Sequence, residues 1–152
     1  MKKILFVCLG NICRSPLAEA LFNQLANDKG LDIRADSCGT ANYHVGENPD
    51  PRTIAVAEKH NIPMSHKGRQ LKAVDFENYG HILVMDQANL QDTLSVYQKS
   101  GATSAPTIEL LRNHDSQGQG NDVADPWFGN ADDFEECYQT VLRCCDALHK
   151  IL

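Results

Sequence analysis

Lys2-Lys3-Ile4-Leu5-Phe6-Val7-Cys8-Leu9-Gly10-Asn11-Ile12-Cys13-Arg14-Ser15-Pro16 is the stretch that decides the fold. Its first half is a short apolar run of the kind that fills a buried strand. Gly10 and Asn11 follow, the two residue types that most readily adopt positive φ. Ser15-Pro16 reads as a helix start, with a hydroxyl at the N-cap and proline at the first helical position. Leu17, Ala20, Leu21 and Leu25 then recur at helical spacing over 16–28, with Gly30 as a stop. The loop therefore lies between a strand's C-terminal end and a helix N-terminus, where N–H groups and the helix dipole favour an anion.

A cysteine opens that loop and an arginine closes it. A free thiol with a pKa of about 8.5 is only about 3% thiolate at pH 7. Loop N–H groups, the dipole and the Arg14 guanidinium all favour the sulfur anion. The same surroundings suit a phosphate dianion, across which Arg14 can fork. The alternative is that Cys8, following four apolar residues, is simply core. The strand, the Gly-Asn turn and the Ser-Pro helix start together favour a nucleophilic loop.

Val7 to Pro16 closely resembles the signature of the low-molecular-weight protein tyrosine phosphatases, and the resemblance runs along nearly the whole chain. It implies that Cys8 forms a phosphocysteine, that Arg14 binds phosphate, and that the Asp of a late Asp-Pro pair protonates the leaving group. Leu9, Gly10, Asn11, Ile12 and Cys13 then line the phosphate site. No cofactor and no metal are implied.

The chain has 152 residues, the size of one ordinary domain. Its 20 acidic against 14 basic residues argue against nucleic acid or an anionic membrane as partner. No apolar run is long enough to span a bilayer, and Lys2-Lys3 is too brief for a signal peptide. The six cysteines (8, 13, 38, 137, 144 and 145) lack the density of a disulfide scaffold and fit a reducing cytoplasm. None falls at zinc-ligand spacing with histidines. The expected partners are a tyrosine-phosphorylated protein or peptide and inorganic phosphate as product, with the chain a monomer or weak dimer.

Further along, residues 31–38 and 81–85 read as strands, 51–60 as a helix, and 106–111 as a fourth strand. Asp86 or Gln87 caps a helix running to about Lys99. Residues 113–122 read as a loop, and 134–152 as a last helix that packs Cys137, Cys144 and Cys145. The alternation predicts an α/β, single-domain, three-layer fold. A four-stranded parallel sheet carries helices on both faces, with the phosphate loop after the first strand. Ligands in such folds bind beyond the carboxyl ends of strands, where Cys8 and Ser37 fall.

Asp125-Pro126-Trp127-Phe128 follows the fourth strand. An Asp-Pro pair is ordinarily a turn, but two aromatics after it can cover a ring-bearing substrate and partly desolvate Asp125, which favours the acid form. Asp122 is the local rival. Tyr43 alone reads as loop packing; the resemblance makes it a wall of the cleft, with His44 beside it tuning specificity. The resemblance also joins Asn11, Ser15, Ser37 and His66 in a network that holds the loop. Where relatives carry phosphorylatable tyrosines after the Asp-Pro, this chain has Trp127 and Phe128. Some relatives with Thr at the Ile12 position prefer phosphoarginine, so Ile12 points to aryl phosphates. Cys13 on its own reads as packing; the resemblance implies a reversible disulfide with Cys8. The rivals are a thiol-linked arsenate reductase, disfavoured because residues 72–100 contain no cysteine, and a phosphotyrosine-binding module without turnover.

Overall fold

A computed structural model describes residues 1–152. Four strands form one parallel sheet: β1 (Lys2–Cys8), β2 (Ile33–Gly39), β3 (His81–Val84) and β4 (Thr107–Leu110), in the order β2-β1-β3-β4. β1 is central, and Ile4 to Val7 are fully buried because both its faces are covered. Ile4, Phe6 and Leu83 point into the larger core with helices α1 (Arg14–Asp28), α2 (Pro51–Lys59) and α5 (Ala131–Ile151). Leu5, Val7, Ile82 and Val84 point the other way. There Phe76 of the short helix α3 (Asp75–Asn78) and side chains of α4 (Gln87–Ser100) cover them.

Element ends differ from the sequence expectation where side chains have other work. α1 begins at Arg14, and its N-cap is Cys13, with no side-chain cap. Ser15 does not cap the helix because its hydroxyl is turned to Cys8 and Asn11. α5 starts at Ala131 rather than 134, since Asn130 and Asp133 form a reciprocal capping box. Asp86 caps α4, accepting from the Asn89 N–H at 2.7 Å. Short 3₁₀ turns at Leu111–His114 and Pro126–Phe128, and α3, carry too little periodicity to be read from sequence.

Candidate active site

Cys8 is the last residue of β1, and its side chain is buried at the floor of a cleft of about 300 Å³. Its Sγ accepts from the Asn11 N–H at 3.3 Å and lies 2.9 Å from Ser15 Oγ. Asn11 adopts φ 59°, the left-handed turn that brings its N–H back over the sulfur. Asn11 is held there on every polar atom of its side chain. Its Nδ2 donates to Ser15 Oγ at 2.8 Å and to Ser37 Oγ at 3.0 Å. Its Oδ1 accepts from the Arg69 N–H at 3.0 Å and from His66 Nε2 at 2.6 Å. The amide oxygen can only accept, so His66 carries hydrogen on Nε2; its Nδ1 stands 3.0 Å from Glu19. Because Ser15 Oγ already accepts from Asn11, its own hydrogen is free to donate to the sulfur.

Gly39, at the end of β2, lets the loop approach. A Cβ there would stand 2.6 Å from the Leu9 carbonyl oxygen, which no ordinary contact permits. Ser37, two residues earlier, relays the network to Glu19 at 2.9 Å.

Arg14 is buried, and its Nη1 donates to Asp86 Oδ2 at 2.7 Å and to the Val123 carbonyl at 2.9 Å. Its Nη2 is 3.7 Å from Asp125 Oδ2. Burial alone would depress the guanidinium; the Cys8 sulfur, Asp86 and Asp125 outweigh it and hold the group above its ordinary value. Asp86 was legible in the sequence as a helix cap, but its grip on Arg14 was not, because nothing in the spacing brings the end of β3 to the start of α1.

Asp125 lies across the cleft, about half exposed, and accepts from the Trp127 N–H at 3.1 Å. Trp127 and Phe128 line the cleft with Tyr43 and His44. Phe128 is 95% exposed and Trp127 41%, and the Asp125 side chain keeps 45% of its surface open, so the cover over this carboxylate is partial. Arg52 props the 3₁₀ turn over 126–128. It donates to the Trp127 carbonyl at 3.0 Å, stacks on the Trp127 and Phe134 rings, and is anchored by Asp50. The rival Asp122 is engaged elsewhere, accepting from the Gln87 N–H at 3.0 Å.

Ile12 and Cys13 also line the cleft. Burial, reinforced by Asp50, pushes the Cys13 thiol up to about 12, so Cys13 stays protonated where Cys8 faces donors. All six cysteines are free.

A sulfur among donors, a forked cation beside it and a carboxylate facing both suit a phosphoryl group passing from an oxygen to the sulfur and on to water. On a parallel α/β sheet this defines the class of cysteine-dependent phosphatases. The family model for low molecular weight phosphotyrosine protein phosphatase matches residues 3–152. The human protein of that name is 45% identical over 148 residues, 96% of this chain and 92% of its own length. The Schizosaccharomyces pombe one is 42% identical over 139 residues, covering 90% and 87%. Among solved structures, a protein tyrosine phosphatase from Entamoeba histolytica superposes with TM-score 0.89 at 29% identity, covering 99% and 96%. A Drosophila arginine phosphatase gives TM-score 0.93 at 30% identity, covering 99% and 96%. The chain belongs to the low molecular weight phosphotyrosine protein phosphatase family.

Proposed function

We propose that this single-domain chain hydrolyses phosphotyrosine in proteins or peptides, and small aryl phosphates, through a phosphocysteine on Cys8. The observation that carries the reading is the Cys8 sulfur, which has the Asn11 N–H and the Ser15 hydroxyl turned on it and Arg14 buried beside it. With Nη1 occupied by Asp86 and Val123, Arg14 has Nε and Nη2 for two phosphoryl oxygens. The Cys8 thiolate attacks phosphorus in line as the bond to the phenolic oxygen breaks, and Asp125 gives that oxygen its proton. Asp125, now a carboxylate, takes a proton from water, and the resulting hydroxide displaces the Cys8 thiolate. Phosphate leaves, and the Ser15 hydroxyl stabilises the departing sulfur.

Tyr43, Trp127 and Phe128 form an aromatic mouth above this floor, which suits a flat phenyl ester, and His44 beside them pairs with Glu47 at 2.8 Å. Ile12 presents an apolar side chain to the cleft. That favours a tyrosyl over a guanidinium phosphate, the substrate named for the Drosophila neighbour. The remaining parts of the reading are a cytoplasmic setting, a monomer or weak dimer, and redox control. In the last, peroxide converts Cys8 to a sulfenic acid, which condenses with the Cys13 thiol to a disulfide with loss of water. No helix is long and apolar enough to cross a membrane.

The test is turnover of matched phosphotyrosine and phosphoarginine peptides in the presence of a chelator, with acid quenching to trap phosphoprotein. Phosphotyrosine hydrolysis is expected, with label on Cys8. Cys8→Ser should lower turnover by about 10⁴-fold or more while phosphate still binds. Preference for phosphoarginine, or turnover that survives Cys8→Ser, would overturn it.

A further inference from the structure

At the opposite end of β3 from the cleft, His81, Glu109 and His114 converge, and no step above uses them. His81 opens β3 and pairs with Thr107 in register, so Glu109, two residues on in β4, projects from the same face of the sheet. His114 closes the 3₁₀ turn that follows β4, and its Nε2 contacts the Glu109 carboxylate. His81 Nε2 is buried and has no hydrogen-bond partner; it stands 3.7 Å from Glu109 Oε1, outside bonding reach. One ligand atom from each of the three lies within 4.8 Å of the others. The side chains are 16–24% exposed, so the cluster is sheltered at the protein surface.

We propose that His81, Glu109 and His114 bind one divalent transition-metal ion of zinc-like preference. Two imidazoles and one carboxylate are a donor set zinc accepts, with a fourth position left for water. Ligand atoms around a tetrahedral zinc stand about 3.4 Å apart; His81 Nε2 and Glu109 Oε1 stand 3.7 Å apart here, and all three ligand atoms lie within 4.8 Å of one another. The orphaned His81 nitrogen gains the partner it lacks. The ion would tie edge strand β4 to β3 and fix the 3₁₀ turn, from which Arg112 reaches the Asp122 carbonyl at 3.0 Å. The sequence hides this site because its ligands are 28 and 5 residues apart, which matches no common zinc spacing. It replaces the metal-free expectation at this one place.

The test is a Co²⁺ titration of the full chain in a Cys8→Ser background, which removes the cleft sulfur as a competing ligand. One Co²⁺ per chain should bind with a visible spectrum of nitrogen and oxygen ligands and no thiolate charge-transfer band. Zn²⁺ should displace it and raise the Tm. His114→Ala and Glu109→Gln should each weaken Co²⁺ at least about tenfold. His114→Asn, which keeps a donor toward Glu109, should retain the fold while losing the metal. No binding at millimolar Co²⁺, a thiolate band, or unchanged affinity in these variants would overturn the site and leave an ion pair in its place.

Discussion

The two sides of the cleft are built to different standards. On the sulfur side, Cys8, Asn11, Arg14 and Ser15 are buried, and every polar atom of the Asn11 side chain is partnered. On the acid side, Asp125 is half exposed, Phe128 is 95% exposed, and the turn that carries them rests on Arg52. The contrast follows from what each side must do. A thiolate and a phosphoryl group of fixed shape need donors placed beforehand, because reorganising them during reaction raises the barrier. A leaving group carried on a protein or peptide needs room beside the acid, and the open arm with its aromatic rings leaves that room.

The sharpest way to break the comparison is to remove the acid. Asp125→Ala should lower kcat for phosphotyrosine by about 10²–10⁴-fold. It should cost far less for p-nitrophenyl phosphate, whose phenolate leaves without a proton, and phosphate affinity should be nearly unchanged. Equal losses on both substrates would mean that Asp125 shapes the sulfur side, presumed independent of it, through Arg14.

Next in size is a cut through the preassembled side. Asn11→Ala takes one partner each from Ser15, Ser37 and His66, removes the acceptor of the Arg69 N–H, and puts alanine at φ 59°. Stability should fall by about 1–3 kcal/mol in denaturant titration. Turnover should drop on activated and unactivated substrates alike, the opposite signature to Asp125→Ala. A loss confined to unactivated substrates would contradict the division.

The smallest effect concerns the ground under the acid arm. Asp115 is buried; burial would raise its carboxyl, but Arg143, the Gln117 N–H and Arg112 hold it down at about 2. A group depressed on folding contributes stability above its unfolded value near 3.9 and loses it as pH falls through the folded value. About 2 kcal/mol should disappear between pH 4 and about 2. Asp115→Asn should flatten that part of the acid unfolding curve; an unchanged curve would assign the acid sensitivity to other carboxylates.

The same contrast explains what the sequence disclosed. The sulfur side is written in one stretch, Cys8 to Pro16, whose strand, turn and helix signals agree with each other, so its order and the parallel sheet were legible. Asp125 announced itself by the proline and aromatics beside it. What stayed hidden depends on contacts between distant elements: Asp86 on Arg14 across 72 residues, Arg52 under Trp127 across 75. Ser15 reads as a helix cap because a hydroxyl before proline usually is one, while the resemblance puts it in the network that holds the loop; the fold sets its hydroxyl 2.9 Å from the Cys8 sulfur and leaves the cap unmade. The exposure of Phe128 was likewise invisible, since composition marks a ring as apolar without saying which way a 3₁₀ turn points it.

The most direct measurement is alkylation of the intact protein by iodoacetate at mildly acidic pH, mapped by mass spectrometry, with and without inorganic phosphate. Rapid modification of Cys8 alone, slowed by phosphate while Cys13 stays unmodified, is the predicted result. A Cys8 that reacts no faster than the other five cysteines, or that phosphate fails to shield, would contradict the account.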